Sequence, residues 1–202
     1  MIENKYLKKA VEYKVGKFLG ESLTSEDLLN VEELSLSNVS FSGEKRNIDL
    51  LELKKLPNIR KLDLQYFNID TETISMINMF RKLDSLQLAS CDFSSNEVLR
   101  NIALRSLVFN SCRIKDYSKI FAPQILTVIN AKNIRLDDLQ GIENVEVLNL
   151  QNSIVKGMNR TLECKKLRKL NLDGSILDNE EIIASLPKEV EISKKDKYLP
   201  VR

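Results

Sequence analysis

Apolar residues recur along this chain in one fixed local order. An apolar residue is followed three and five positions later by two more, and then by others at the ninth and eleventh positions. The order runs Val31-Leu34-Leu36-Val39-Phe41, Ile59-Leu62-Leu64-Phe67-Ile69, Leu83-Leu86-Leu88-Cys91-Phe93 and Leu104-Leu107-Phe109-Cys112-Ile114. It continues as Leu126-Ile129-Ala131-Ile134-Leu136, Val145-Leu148-Leu150-Ser153-Val155 and Leu167-Leu170-Leu172-Ser175-Leu177, then ends in a degraded copy with Val190 and Ile192. The copies begin at positions 31, 59, 83, 104, 126, 145, 167 and 187, with gaps of 28, 24, 21, 22, 19, 22 and 20. Within each copy the fourth and sixth positions alternate with polar neighbours, the pattern of a strand with one buried face. One such strand cannot bury that face alone. Stacked at about 4.8 Å, eight of them form a parallel sheet and a continuous core roughly 35 Å long.

The spacing L-x-x-L-x-L-x-x-N/C-x-L is that of a leucine-rich repeat. The expected fold class is α/β: a right-handed solenoid curved as a horseshoe, with a concave parallel sheet of about eight strands. Its convex side is expected to mix helices with 3-10 turns. Asp70 or Thr71 starts a helix through Ile74, Ile77 and Phe80. Ser94 and Glu97 make a capping-box pair ahead of Val98, Leu99 and Ile102, and Asp178 or Asn179 precedes Glu180-Glu181-Ile182-Ile183. Gly141 and Gly157 mark shorter returns. The ninth position usually holds Asn, whose side chain bonds to the backbone of adjacent coils. Here it holds Val39, Phe67, Cys91, Cys112, Ile134, Ser153 and Ser175, so water or altered loops must serve those backbone groups and irregular coils are expected.

An open solenoid exposes core at its ends and needs polar caps. Residues 2–19 carry Leu7, Ala10, Val11, Val15, Phe18 and Leu19 at helical spacing opposite Lys5, Lys8, Glu12 and Lys17, with Gly20 as the stop. Thr24 and Asp27 then cap a short helix through Leu28 and Leu29. The expected organisation is a helical cap over 1–30, repeats over 31–193 and a tail over 194–202, where Lys194, Lys195, Lys197 and Arg202 keep the last strand soluble.

The segment from Lys9-Ala10 to Leu19-Gly20, then Leu23-Thr24-Ser25-Glu26-Asp27-Leu28, then Val31-Glu32-Glu33-Leu34, resembles the cap of the bacterial internalin family. Leu139-Gln140-Gly141-Ile142-Glu143-Asn144-Val145-Glu146-Val147-Leu148-Asn149-Leu150 is similar to that family's repeat consensus. The resemblance implies a curved array that binds a protein through its concave face, in pathogens a host receptor.

Composition narrows the chemistry. With 31 basic and 29 acidic residues the net charge is +2, without the basic excess of a phosphate-tracking surface, so no nucleic-acid partner is expected. The absence of histidine removes Ser-His and Cys-His nucleophiles and every His-containing metal site. Three cysteines without a C-x-x-C pair make neither a zinc site nor a disulfide framework. Cys91 and Cys112 read as buried thiols, and Cys164 as a solvated one beside Lys165 and Lys166, which would favour its thiolate. Carboxylates are scattered one per coil, so no enzyme, cofactor or metal is expected. No run reaches the ~20 apolar residues of a membrane span, and charges occupy the place of a signal peptide's apolar stretch. The chain is expected in the cytoplasm if Met1 is the natural start, and secreted or at the surface if Met1 replaces a removed signal.

Positions three, five and seven of each copy point to the concave face. The candidate binding residues are Asp63, Gln65, Gln87, Val108, Asn110, Asn130, Lys132, Asn149, Gln151, Asn171 and Asp173, with Tyr66 as a rim aromatic. Asn130, Asn149 and Asn171 fall at position five beside Val108, Val128 and Val147. Such a strip either meets a protein surface at low desolvation cost or forms an amide ladder with itself. The expected function is a monomeric, non-catalytic protein-binding module. Its alternatives are a dedicated regulatory or neutralising subunit of an intracellular enzyme or toxin, and a secreted host-receptor binder.

Overall fold

The computed structural model describes residues 1–18, 21–40 and 43–195. Leu19, Gly20, Phe41, Lys197 and Arg202, which figure in the sequence expectations, lie outside the described residues. The chain forms two units, 1–104 and 105–202.

The first unit comprises α1 (Lys5–Lys14), α2 (Ser25–Leu29), β1 (Glu33–Ser37), β2 (Lys61–Gln65), α3 (Thr71–Met79) and β3 (Ser85–Ala89). The three strands pair in parallel with Leu34, Leu62 and Leu86 in one row, and these leucines are buried. Asn4 caps α1, its side chain accepting from the Tyr6 and Leu7 N–H groups at 3.1 and 3.2 Å. Leu7 and Val11 are fully buried. The helix stops at Lys14, well before Gly20. Gly16 takes φ +73°, so that the Lys17 N–H reaches the Glu12 carbonyl at 2.9 Å and the Gly16 N–H that of Tyr13 at 3.3 Å. These two bonds close the helix end in the manner of a Schellman motif. Phe18 is thereby left outside the helix and 79% exposed.

Helix α3 forms as the pattern requires: the Asp70 carboxylate accepts from the Thr73 N–H at 2.9 Å, and Ile74 and Ile77 are buried. The helix expected after Ser94 does not form. Ser94 Oγ donates to Asn68 Oδ1 at 2.9 Å, and the Glu97 carboxylate accepts from Ser75 and Asn78 of α3, so both capping-box side chains are turned to the preceding coil. Ile102 is left 96% exposed.

The second unit pairs β4 (Ser106–Asn110), β5 (Ile125–Ile129), β6 (Val147–Asn149), β7 (Lys169–Asn171) and β8 (Glu191–Ser193) in parallel, in that order. Its returns are 3-10 turns, Tyr117–Lys119, Leu136–Asp138, Ile142–Asn144, Met158–Glu163 and Glu181–Ser185. Gly141 and Gly157 open two of them at φ +70° and +76°; a Cβ at Gly157 would lie 2.5 Å from Asp137. Neither Asp178 nor Asn179 caps the last turn. Asp178 accepts instead from the Gly157 and Met158 N–H groups of the preceding coil, at 2.6 and 3.3 Å.

Two registers differ from the sequence expectation. Leu126 lies opposite Leu107 and Leu148, so it is the fourth residue of its copy and not the first. Val128 is then sixth and buried, and Ala131 ninth. Ile134 pairs with Val155 one residue later than the frame allows, which marks an insertion in this coil. In the last copy Ile192 lies opposite Leu170, placing Glu191 third and Ser193 fifth. The eighth residue fixes the frame. Tyr66, Ser90, Ser111, Asn130, Asn152 and Gly174 all occupy it, with φ between +51° and +69°, a left-handed turn that Asn and Gly enter most readily.

At Cys91, Ser153 and Ser175 the ninth side chain itself serves the backbone of adjacent coils. Ser153 Oγ accepts from the Ala131 N–H at 3.1 Å and faces the Gln151 and Val128 carbonyls at 2.9 and 3.2 Å. Ser175 Oγ donates to the Leu150 carbonyl at 2.5 Å. Cys91 Sγ lies 3.3 Å from the Leu64 carbonyl. Small donors at the ninth residue stand in for the usual amide.

Candidate protein-binding face

In the first unit, Asp63 and Gln87 line a cleft of about 450 Å³ between the strands and α1, with Ser35, Lys61 and Tyr13. Tyr13 is 88% exposed, and being off the apolar face of α1 it was not anticipated. Charges here cancel. Lys61 sits 2.7 Å from Glu33 and Lys14 3.7 Å, and the Lys61 hydrogen bond, then its charge, holds the Glu33 carboxyl below its ordinary range. Asp63 Oδ2 accepts from Ser35 Oγ at 3.0 Å and from Gln65 at 3.5 Å. Tyr66 leaves the strand at its left-handed turn, φ +61°, with its side chain at the rim and half exposed.

In the second unit the corrected register changes the face. Thr127 lies opposite Val108 and Asn149, Ile125 opposite Ser106 and Val147, and Ile129 opposite Asn110. Val108, Ile125, Thr127, Ile129 and Val147 are all partly exposed, so this face carries a β-branched patch, apolar but for the Thr127 hydroxyl, that the sequence frame had hidden. Val128 belongs to the core, and Asn130 and Lys132 move to the rim. There Asn130 Nδ2 donates to Asn110 Oδ1 at 3.1 Å, and both rim residues line a cleft of about 380 Å³ with Cys112 and Tyr117. Had the frame been set on Asn130 as a turn residue, Ile125, Thr127 and Ile129 would have been found.

Beyond the patch the face is polar and satisfied within itself. Asn149 and Asn171 do not form a ladder; each accepts from the N–H two residues on, of Gln151 at 3.2 Å and Asp173 at 3.0 Å. Asp173 accepts from Ser193 Oγ at 2.7 Å and the Lys195 N–H at 2.8 Å. The Ser193 bond foremost keeps its carboxyl below the usual range. Lys169 pairs with Glu191 at 3.0 Å.

The reading of Cys164 as a solvated thiol is overturned. It is 5% exposed, Sγ donates to the Ile142 carbonyl at 3.2 Å, and burial pushes the thiol up to about 11. Among the described residues no cluster of three Cys, Asp or Glu side chains could hold a metal ion, and no helix is long and apolar enough to cross a membrane.

No family model and no curated protein matches the sequence. Solved structures do. Internalin C2 from Listeria monocytogenes is 16% identical over 95% of this chain and 93% of its own, with a TM-score of 0.57. The internalin InlF from the same organism is 19% identical, with a TM-score of 0.65; the match covers 95% of this chain and 55% of that one. The chain has an internalin-like leucine-rich-repeat fold. At these identities the likeness is one of fold, and the internalin-like strand face must be read from its own residues.

Proposed function

We propose that the chain is a non-catalytic protein-binding module working through the solvent face of its strands. The observation that carries this reading is the patch of Val108, Ile125, Thr127, Ile129 and Val147 in the second unit. Partly exposed β-branched side chains on a rigid sheet, next to amides and self-paired charges, have the composition of an interface centre and its polar surround. Covering them returns apolar area to a dry environment and strands no charge. The carboxylates support the same reading, because Asp63 and Asp173 are each engaged in hydrogen bonds to a neighbouring coil.

The test is capture from the native host with the wild-type chain and with Thr127→Arg, each quantified by mass spectrometry. A guanidinium in the middle of the patch should cut recovery of the dominant partner about tenfold or more, worth at least ~1.4 kcal/mol. Asn130→Arg, at the rim, should leave it near the wild-type level. Equal recovery with Thr127→Arg rules the patch out.

A further inference from the structure

We infer that the first unit carries a second docking site, a groove beside α3 that receives an amphipathic helix with acidic flanks. The groove encloses about 620 Å³ and is walled on one side by α3 and on the other by Leu51, Lys54 and Pro57 of the preceding return. Along α3 it is lined by Glu72, Ser75, Met76 and Met79, an i, i+3, i+4, i+7 stripe that runs the whole nine-residue helix. The core side of α3 is a different stripe, carrying the fully buried Ile74 and Ile77. The groove stripe is covered at Met76, 6% exposed, and open at its end, where Met79 is 77% exposed among the described residues.

A trough between α3 and the 3-10 turn Leu50–Lys55 is a setting for helix-in-groove recognition, and the ~13 Å length of α3 matches two to three turns of a bound helix. Methionines suit such a floor because the flexible thioether repacks around different side chains. Charge selects the occupant. Lys54, Arg81 and Lys82 stand around the groove against one carboxylate, Glu72. None of the three cations is ion-paired to a carboxylate among the described residues, and Lys82 Nζ donates to the neutral Asn58 at 2.7 Å. A helix whose apolar stripe is flanked by Glu or Asp satisfies both floor and rim, whereas a basic helix meets like charge.

The probe is a fluorescein-labelled helical peptide of about 16 residues, Leu at i, i+3, i+4 and i+7 with Glu flanks, and a twin with Lys in place of Glu. Anisotropy titrations against the full chain should show saturable binding of the acidic peptide and binding about tenfold weaker for the basic twin. Met79→Glu, at an exposed position, should keep the wild-type circular dichroism and thermal midpoint while weakening the acidic peptide about tenfold. Arg81→Glu with Lys82→Glu should reverse the preference. Thr127→Arg should leave peptide binding unchanged, which separates this site from the strand face. The inference is overturned if neither peptide binds, if both bind equally, if Met79→Glu has no effect, if Thr127→Arg abolishes binding, or if sedimentation finds a dimer of the chain that Met79→Glu dissociates.

Discussion

The first and second units build the same strand from coils of different length. In the first, 28 and 24 residues separate the paired leucines of β1, β2 and β3; in the second, the separations are 19 and 22. The 24-residue coil carries the nine-residue α3, whereas the 28-residue coil carries the 3-10 turn Leu50–Lys55 and the coils of the second unit also carry 3-10 turns. Coil length alone does not decide which return forms: the α3 segment is helical because Asp70 caps it and Ile74 and Ile77 bury one of its faces. The strand faces diverge as well. The first unit's is polar, with Glu33 paired to Lys61 and Asp63 to Ser35, while the second unit's is apolar where Ile125 and Ile129 flank Thr127. The return side and the strand face thus vary independently of each other.

The ninth position should separate the units most sharply. In the second unit Ser153 is 2% exposed and serves the Ala131 N–H and two carbonyls. Ser153→Ala removes the hydroxyl without adding volume and strands those backbone groups, so it should cost about 2–4 kcal/mol in urea denaturation followed by circular dichroism. In the first unit, Cys91→Ser exchanges one small donor for another and should stay within about 1 kcal/mol. If Ser153→Ala is as mild as Cys91→Ser, the hydroxyl bonds are incidental and coil cohesion comes from the leucines alone.

The period was legible because each strand must bury its fourth and sixth residues, and that requirement repeats however the return is built. The helix starts were legible only where the capping side chain had no rival. Asp70 bonds to its own helix, but Glu97 and Asp178 bond to the coil before them, a choice made by neighbours some twenty residues away. The frame of the fifth copy was lost because Leu126, Ile129, Ala131, Ile134 and Leu136 fit the apolar template, while an inserted residue breaks the true one. With it went Ile125, Thr127 and Ile129, the centre of the candidate face. Apolar periodicity cannot tell two frames apart when both are filled; backbone chirality at Asn130 can.

That eighth residue offers a smaller test. Ser, Asn or Gly occupies it in every left-handed case except Tyr66. A tyrosine there bears a steric cost of about 1–2 kcal/mol that Asn largely avoids. Tyr66→Asn should therefore raise stability by about 1 kcal/mol in the same denaturation assay. Tyr66→Gly should gain less, because glycine loosens the unfolded chain. A loss of stability with Tyr66→Asn would mean that the half-exposed ring packs to the benefit of the first unit, and that the rim tyrosine is kept for the fold.

The smallest effect lies at the α2 cap. The Asp27 carboxylate accepts from the Thr24 N–H at 2.6 Å and lies 2.6 Å from Lys17 Nζ, just past the Gly16 bend, which joins the exit of α1 to the start of α2. Lys17 first and Thr24 second lower its pKa from 3.8 to about 2. A carboxyl that is more acidic when folded binds more protons unfolded, so its contribution rises with pH across that interval. It is complete above about pH 4 and is lost as pH falls towards 2. The isosteric Asp27→Asn keeps an acceptor for Thr24 but removes the charge. Its urea midpoint should lie below the wild type at pH 7, with the gap closing between pH 4 and pH 2. A gap that survives at pH 2 would assign the cap to hydrogen-bond geometry alone, and no gap at pH 7 would mean that Lys17 gains nothing from the pairing.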